Sequence, residues 1–297
     1  MFPGFEARDF EAYAPQKWKS NAFTRERLEV KQKLTTLGRA LCAGLAGADG
    51  SPLAAESSAE YPALWNHKQV EAQHVYFFRN EGARKELDQI IDRQKSLASL
   101  IDDPSHQKNH IYLSLTIAHQ DATIALRLGH EADIDRKNLE RKCEDFFERE
   151  KLLGLLRALG EEWFVGEVAI GVLDDDKLRG ALATFVVSRR FARDDERLRG
   201  PTFEELAKTS LRALLPIYQF IAWTRDNDFV SMRETLQKEK LAKKQKHLAK
   251  NDRVRIVRGM FAGKVGTVQE LDPKGTSLKV LIGRMPVKVD AEDVVKA

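Results

Sequence analysis

From Asp252 to Ala297 the chain alternates and turns with a regularity that leaves few folds open. Val254 and Ile256, then Val265, Val268 and Leu271, then Leu278, Val280 and Ile282, then Val287 and Val289, and last Val294-Val295 are spaced for short strands. Gly259, Gly263, Asp272-Pro273 with Gly275, and Gly283 punctuate them. Successive side chains of a strand point to opposite faces. Five short alternating strands with tight glycine turns therefore predict a small all-β unit, closed or nearly closed into a barrel that leaves no exposed edge. Gly259 and Gly263 bracket Met260-Phe261-Ala262, where the chain must turn sharply and visit positive φ, which glycine does without a Cβ clash. Gly266 inside a strand predicts a bulge or a bend at a barrel corner. Phe261 at the loop tip is either a core plug or an exposed contact residue.

This segment resembles the KOW motif as found in the C-terminal domain of the NusG transcription elongation factor. The likeness rests on Asp252-x-Val254-x-Ile256, Gly259-x-Phe261-x-Gly263, Gly266-x-Val268, Leu278-Lys279-Val280, and Pro286-Val287 with Asp293. It implies a five-stranded SH3-like barrel that contacts RNA, ribosomal protein or other factors and has no catalytic role. The likeness ends at the linker. An elongation factor of that type opens on a Trp-Tyr strand within a polymerase-gripping domain, whereas this chain opens Met1-Phe2-Pro3-Gly4-Phe5.

Charge sharpens the expectation. The net +4 conceals 15 Lys/Arg against 7 Asp/Glu from Leu236 onward, and 34 against 38 before it. Such a patch raises association with polyanions whatever the fold beneath it. Leu236 to Lys250, with leucines at 236, 241 and 248, reads as a solvated helical linker or as a basic helix lying on a phosphate backbone. In the RNA-binding reading Arg253, Arg255, Arg258 and Lys264 contact phosphates. Lys238, Lys240, Lys243 and Lys244 then add a sequence-independent electrostatic term. Phe261 stacks on a base or fills a partner's pocket.

The expected organisation is an α+β domain over residues 1–235, a basic linker over 236–251 and the barrel over 252–297. In the front part, Leu28, Val30, Leu34 and Leu37 mark a helix after Pro15, and Gly44 to Ser58 reads as a loop. Gln73 to Phe78 reads as a strand, and Glu81 to Leu100 as an amphipathic helix followed by a loop at Pro104. His110–His119 and Thr123–Leu128 form a hairpin in which Tyr112, Ser114 and Thr116 alternate with Ile111, Leu113, Leu115 and Ile117. One long helix is expected over Asp135–Leu159 with Phe146 and Phe147 inward, then a strand within Glu162–Val172. Asp174 caps a helix through Leu182. Thr202 and Glu205 have capping-box spacing at the start of the last large helix, which runs to Pro216 or beyond.

No nucleotide-binding or nucleophile-elbow motif is present. The two cysteines, Cys42 and Cys143, suggest neither a disulfide framework nor a metal site. No apolar run approaches the roughly 20 residues of a membrane span, and no charged leader with an apolar run behind it is seen. A reducing cytoplasm, with no cofactor and no metal, is expected. His67, His74, His106, His110 and His119 read as structural or surface histidines, or else His74 and His110 line one cleft. Asp174–Asp176 and Asp194–Glu196 read as solvated caps, since metal-dependent chemistry wants carboxylates on adjacent strand ends. Trp223–Asp228 reads as a helix C-terminus capped by Asn227, and Trp65–Val70 as a further place for a ligand contact. Two function classes follow. The first is a non-enzymatic protein docking on RNA, the ribosome or transcribing polymerase, with a purely protein-docking variant. The second is a nucleic-acid-processing enzyme with a cleft lined by some of His74, His110, Arg127 and Asp135.

Overall fold

A computed structural model of the chain describes residues 2–94, 105–231, 249–272, 277–290 and 293–297. It divides into two compact units, Met1–Val230 and Ser231–Ala297.

The first unit is a seven-stranded antiparallel sheet with its two longest helices against one face. Its helices are α1 (Ala7–Glu11), α2 (Thr24–Cys42), α3 (Glu81–Gln94), α4 (Asp133–Glu144), α5 (Phe146–Arg157), α6 (Asp175–Ala181) and α7 (Thr202–Ile221). The strands are β1 (Leu53–Ser57), β2 (Ala72–Arg79), β3 (Ile111–Ala118), β4 (Asp121–Leu128), β5 (Trp163–Val165), β6 (Val168–Ala169) and β7 (Val186–Ala192), ordered β1-β2-β3-β4-β7-β5-β6. Val75, Phe77, Leu113, Leu115, Ile124 and Leu126 face the helices and are fully buried. Against them α2 turns Val30, Leu34, Leu37 and Leu41, and α7 turns Phe203, Ala207, Leu211, Leu214 and Ile217. Both stripes repeat every three to four residues, as a helix with one apolar face requires. Leu28, expected in the first stripe, is out of phase and exposed. At Gly38 a Cβ would lie 2.6 Å from Val75 Cγ2, so α2 sits hard on β2.

Several expectations are corrected. Gly44–Ser58 is not all loop. Leu53–Ser57 pairs with β2 as an edge strand, which the sequence Leu-Ala-Ala-Glu-Ser hides because it lacks apolar alternation. The long helix over 135–159 is two helices. Asp145 is extended and its carboxylate accepts from Glu148 N, starting α5 afresh. That restart changes the phase, and Phe146 and Phe147 point outward at 57% and 79% exposure. The strand expected within Glu162–Val172 is a short β5–β6 hairpin. Strand β7, which the sequence reading did not single out, lies centrally between β4 and β5. Thr202 makes no cap; Pro201 precedes the helix, which continues through Pro216 to Ile221. The continuation of α3 to Leu100 and the loop at Pro104 fall outside the described residues.

Asp174 does cap α6, accepting from Lys177 N. Asp175 pairs with Arg149 and Arg179, and Asp195 with Arg197, so both acidic runs serve local structure. The end of α7 is held as expected, since Asn227 Nδ2 donates to the carbonyls of Ala222, Phe220 and Gln219 at 2.8–3.3 Å. Asn138 Nδ2 and Lys142 Nζ donate to Ile221 O and Phe220 O, satisfying further carbonyls that a helix end leaves unpaired.

A buried ion pair welds this unit together. Arg79 on β2 donates to both carboxylate oxygens of Asp135 on α4, at 2.7 and 2.8 Å. Asp135 also accepts from Ile111 N at 2.9 Å and Trp223 N at 2.8 Å. Desolvation alone would raise the Asp135 pKa, but the charge and hydrogen bonds of Arg79 reverse this and hold it below the ordinary carboxylate value.

The second unit contains β8 (Arg253–Ile256), β9 (Val265–Leu271), β10 (Ser277–Ile282), β11 (Met285–Asp290) and β12 (Val294–Lys296). They form one antiparallel sheet ordered β11-β10-β9-β8-β12. Its own core is Val254, Ile256, Val268, Leu278, Val280 and Val294, with Phe261, Ile282 and Val289 packed against it. Among the described residues no ladder joins β11 to β12. The Pro273–Gly275 turn lies outside those residues. Gly266 is not itself the bulge, because the register shift falls between its neighbours and β10 at Lys279/Val280. Its role is close approach. A Cβ there would meet Val280 Cγ1 at 2.5 Å and Leu281 O at 2.6 Å. Gly266→Ala is therefore expected to destabilise this unit by roughly 1–3 kcal/mol, read as faster amide exchange across β9 and β10. Unchanged exchange would show that the strands have room to part.

Candidate nucleic-acid interface

Alternation on β8 sets the basic surface. Val254 and Ile256 point into the core, fully buried, so Arg253 and Arg255 must point outward, and both are exposed. Arg255 pairs in register with Val265 on one side and Val295 on the other, and Arg253 with Thr267. The chain then leaves the sheet through Arg258, also exposed, into a tight loop closed by Gly263 N donating to Ile256 O at 2.8 Å. Gly259 and Gly263 have φ of +83° and +84°, the left-handed values expected of them. An L side chain would strain both turns. Lys264, exposed, starts the return into β9.

Arg253, Arg255, Arg258 and Lys264 have no carboxylate within ion-pair distance among the described residues. Two other cations of this unit are paired, Lys279 with Glu270 at 3.6 Å and Lys296 with Asp252 at 3.0 Å. Asp252 additionally accepts from Ala249 N, and this backbone bond, with the Lys296 contacts, holds its pKa below the ordinary value. That carboxylate anchors the entry to β8. On one strand and the loop behind it, these four cations have no ion-pair partner among the described residues, an arrangement that can accept phosphate oxygens.

Phe261 resolves toward the core. It is half-buried and packs against the apolar cluster, while Met260 beside it is 94% exposed and forms the tip of the loop. Sequence reasoning singled out the aromatic residue and passed over Met260. Only the direction of the turn decides which of two adjacent apolar side chains is tucked in. Lys238, Lys240, Lys243 and Lys244 lie outside the described residues.

The residues of the enzymatic reading are not brought together. His110, just before β3, contacts Asp88 at 3.2 Å and Arg79 at 3.4 Å, and Arg79 in turn holds Asp135. His74 and Arg127 lie on the face of the sheet turned away from α2 and α7, since His74 follows Gln73 and precedes Val75, both buried toward the helices. Among the described residues no group of three or more His, Cys, Asp or Glu is placed to hold a metal ion, and no helix is long and apolar enough to cross a membrane.

Both histidines carry a consequence for pH. Burial, aided by the charge of Arg127, holds the His74 imidazole down to about 4, and burial likewise lowers His110. The unfolded chain takes up these protons near the ordinary value of about 6.5, while the folded chain does not until lower pH. Stability is therefore complete above about pH 6.5 and falls as pH drops from there toward 4, by up to about 1.4 kcal/mol per pH unit for each histidine. Urea denaturation between pH 7.5 and 5 checks this; a flat profile would show that the imidazoles are hydrated in the fold.

A comparison with curated proteins finds no match to the chain. Residues 250–282 match the family model of the KOW motif. That stretch spans β8, the glycine-bracketed loop, β9 and β10, so the basic strand and its loop belong to a KOW motif.

Proposed function

We propose that the chain is a non-enzymatic binding protein that docks on RNA, on the ribosome or on the transcription machinery through its C-terminal KOW unit and the basic segment before it. The observation that carries this reading is the coincidence of the KOW motif with four exposed cations, Arg253, Arg255, Arg258 and Lys264, that have no ion pair among the described residues. Strands β8 to β12 are taken to wrap as an SH3-like barrel of the NusG C-terminal type. Residues 236–251 serve as a basic helical linker, and residues 1–235 form the domain being delivered. Phosphate contacts release counterions, so affinity should fall linearly in log–log form with salt, by a slope of about −0.7 per contact on single strands. Titration of the full chain with single-stranded RNA, duplex RNA and DNA across a salt series tests the proposal, with the chain ending at Val230 as the control. Strong salt dependence confined to the full chain supports it.

One feature favours a second reading. Met260, almost fully exposed beside half-exposed Val257, puts an apolar tip next to the cations, as a protein-docking loop would. A complex that forms with no salt dependence, and weakens on Met260→Ser, would select that reading.

A further inference from the structure

The face of the N-terminal sheet turned away from α2 and α7 is polar and aromatic, and a cavity of about 590 Å³ lies over it. His74, Tyr76 and Tyr112 line this cavity. The His74 and Tyr76 rings stack at 5.3 Å with 14° between planes, and Tyr112 meets Tyr76 edge-on at 5.3 Å. Arg127, the register partner of Tyr112, shares its face and stands next to the cavity without being part of its lining. It has no ion pair or hydrogen bond among the described residues. Its charge reaches both neighbours, acting on the ionisation of His74 and of Tyr112.

Two further features mark this face. Ser114, paired in register with Tyr76 and Ala125, and Ser188, paired with Ala125, are 1% and 2% exposed beside the cavity and not in its lining, and neither hydroxyl has a hydrogen-bond partner among the described residues. Buried hydroxyls are rarely left so. His67, on the rim of the cavity in the Trp65–Val70 run marked from the sequence, has φ of +53°, and Lys68 next to it has +58°. Non-glycine residues in the left-handed region cluster at ligand sites.

We propose that this cavity binds a nucleotide, its base against Tyr76 and Tyr112 and its phosphate on Arg127. The volume lies in the range of small-ligand sites. Flat aromatic rings suit a flat base, and a guanidinium fork suits phosphate oxygens in two-point contact. Because His74 gives Nδ1 to the Thr116 hydroxyl at 2.8 Å and stays neutral, the positive charge at the site is that of Arg127. The nucleotide could be free or part of an RNA strand; the chemistry is the same. The site is independent of the cations on β8.

The test uses the full chain carrying Arg253→Glu and Arg255→Glu, so that the KOW surface contributes less and Arg127→Gln reports on the cavity. It is titrated calorimetrically with each of the four ribonucleoside 5′-monophosphates and with a five-nucleotide single-stranded RNA. Saturable binding of a monophosphate, weakened roughly tenfold or more by Arg127→Gln, supports a free nucleotide. Binding of the RNA alone, with the same loss, supports a nucleotide within a strand. Tyr112→Leu should weaken either one similarly. Should that variant unfold, Arg127→Gln carries the test, because among the described residues the Arg127 side chain makes no hydrogen bond or ion pair that the change would break. No saturable binding of any probe at millimolar concentration, or binding indifferent to Arg127→Gln, overturns the proposal.

Discussion

Asp135→Ala is expected to cost the N-terminal unit about 3–5 kcal/mol, the loss typical of breaking one half of a buried ion pair. The side chains of Arg79 and Asp135 are 6% and 1% exposed. Removing the carboxylate leaves a guanidinium out of water with only Trp223 O at 3.0 Å and a 3.4 Å contact to His110. It also strips the acceptor from two buried backbone donors, Ile111 N and Trp223 N, each adding its own desolvation cost. Asp135→Asn keeps the shape and should lose less. The paired replacement Arg79→Met with Asp135→Leu should recover much of the loss, because the uncompensated charge disappears with its partner. Urea denaturation of the four proteins decides it. A loss below about 1 kcal/mol for Asp135→Ala would place this pair with surface ion pairs and mean that water reaches Arg79. Acid should act in the same direction. A carboxyl with a lowered folded pKa stabilises above its unfolded value of about 3.9, and that contribution is lost as pH falls through the folded pKa.

Reversing both outward arginines of β8, Arg253→Glu with Arg255→Glu, should weaken RNA binding by on the order of 10–100-fold at low salt. It should also flatten the salt dependence by about 1.4 in slope on single strands, two contacts at about 0.7 each. The change leaves the core untouched, since Val254 and Ile256 carry the packing of this strand. A stability loss is therefore not expected, and an unchanged melting temperature is the control. Val254→Asp is the converse variant and should unfold the sheet. If RNA affinity stays the same after double reversal, the phosphates are held elsewhere, and the basic segment 236–250 becomes the next target. Arg258→Glu and Lys264→Glu should each give a smaller loss, with a slope change of about 0.7.

The two units differ in how much of them could be read in advance. In the C-terminal unit every strand was legible, because period-2 alternation and glycine turns are local signals. Val254/Ile256 against Arg253/Arg255 assigns inside and outside without knowledge of any neighbour. In the N-terminal unit the hairpin β3–β4 was legible for the same reason. Strand β1 was not, because its residues are small and its pairing is supplied by β2. The split at Asp145 was missed because Asp145 reads equally well as a surface residue of one long helix. His74 and His110 looked alike in the sequence, each at the start of a strand. They part because His74 lies within β2, between Gln73 and Val75, and enters the lining of the cavity, whereas His110 stands just before β3 and meets Asp88 and Arg79.

What the sequence alone determined, then, is the local part: the KOW motif, its strands, its outward arginines and its positive-φ glycines. These follow from alternation and backbone sterics within a few residues. Tertiary structure alone decided what depends on distant segments meeting. It placed Arg79 and Asp135 in one buried pair, tucked Phe261 in and left Met260 out, and gathered His74, Tyr76 and Tyr112 around one cavity with Arg127 beside Tyr112 on the same face. Contacts between residues far apart in the chain leave no periodic trace, because their cost and gain are set by packing and desolvation and not by spacing.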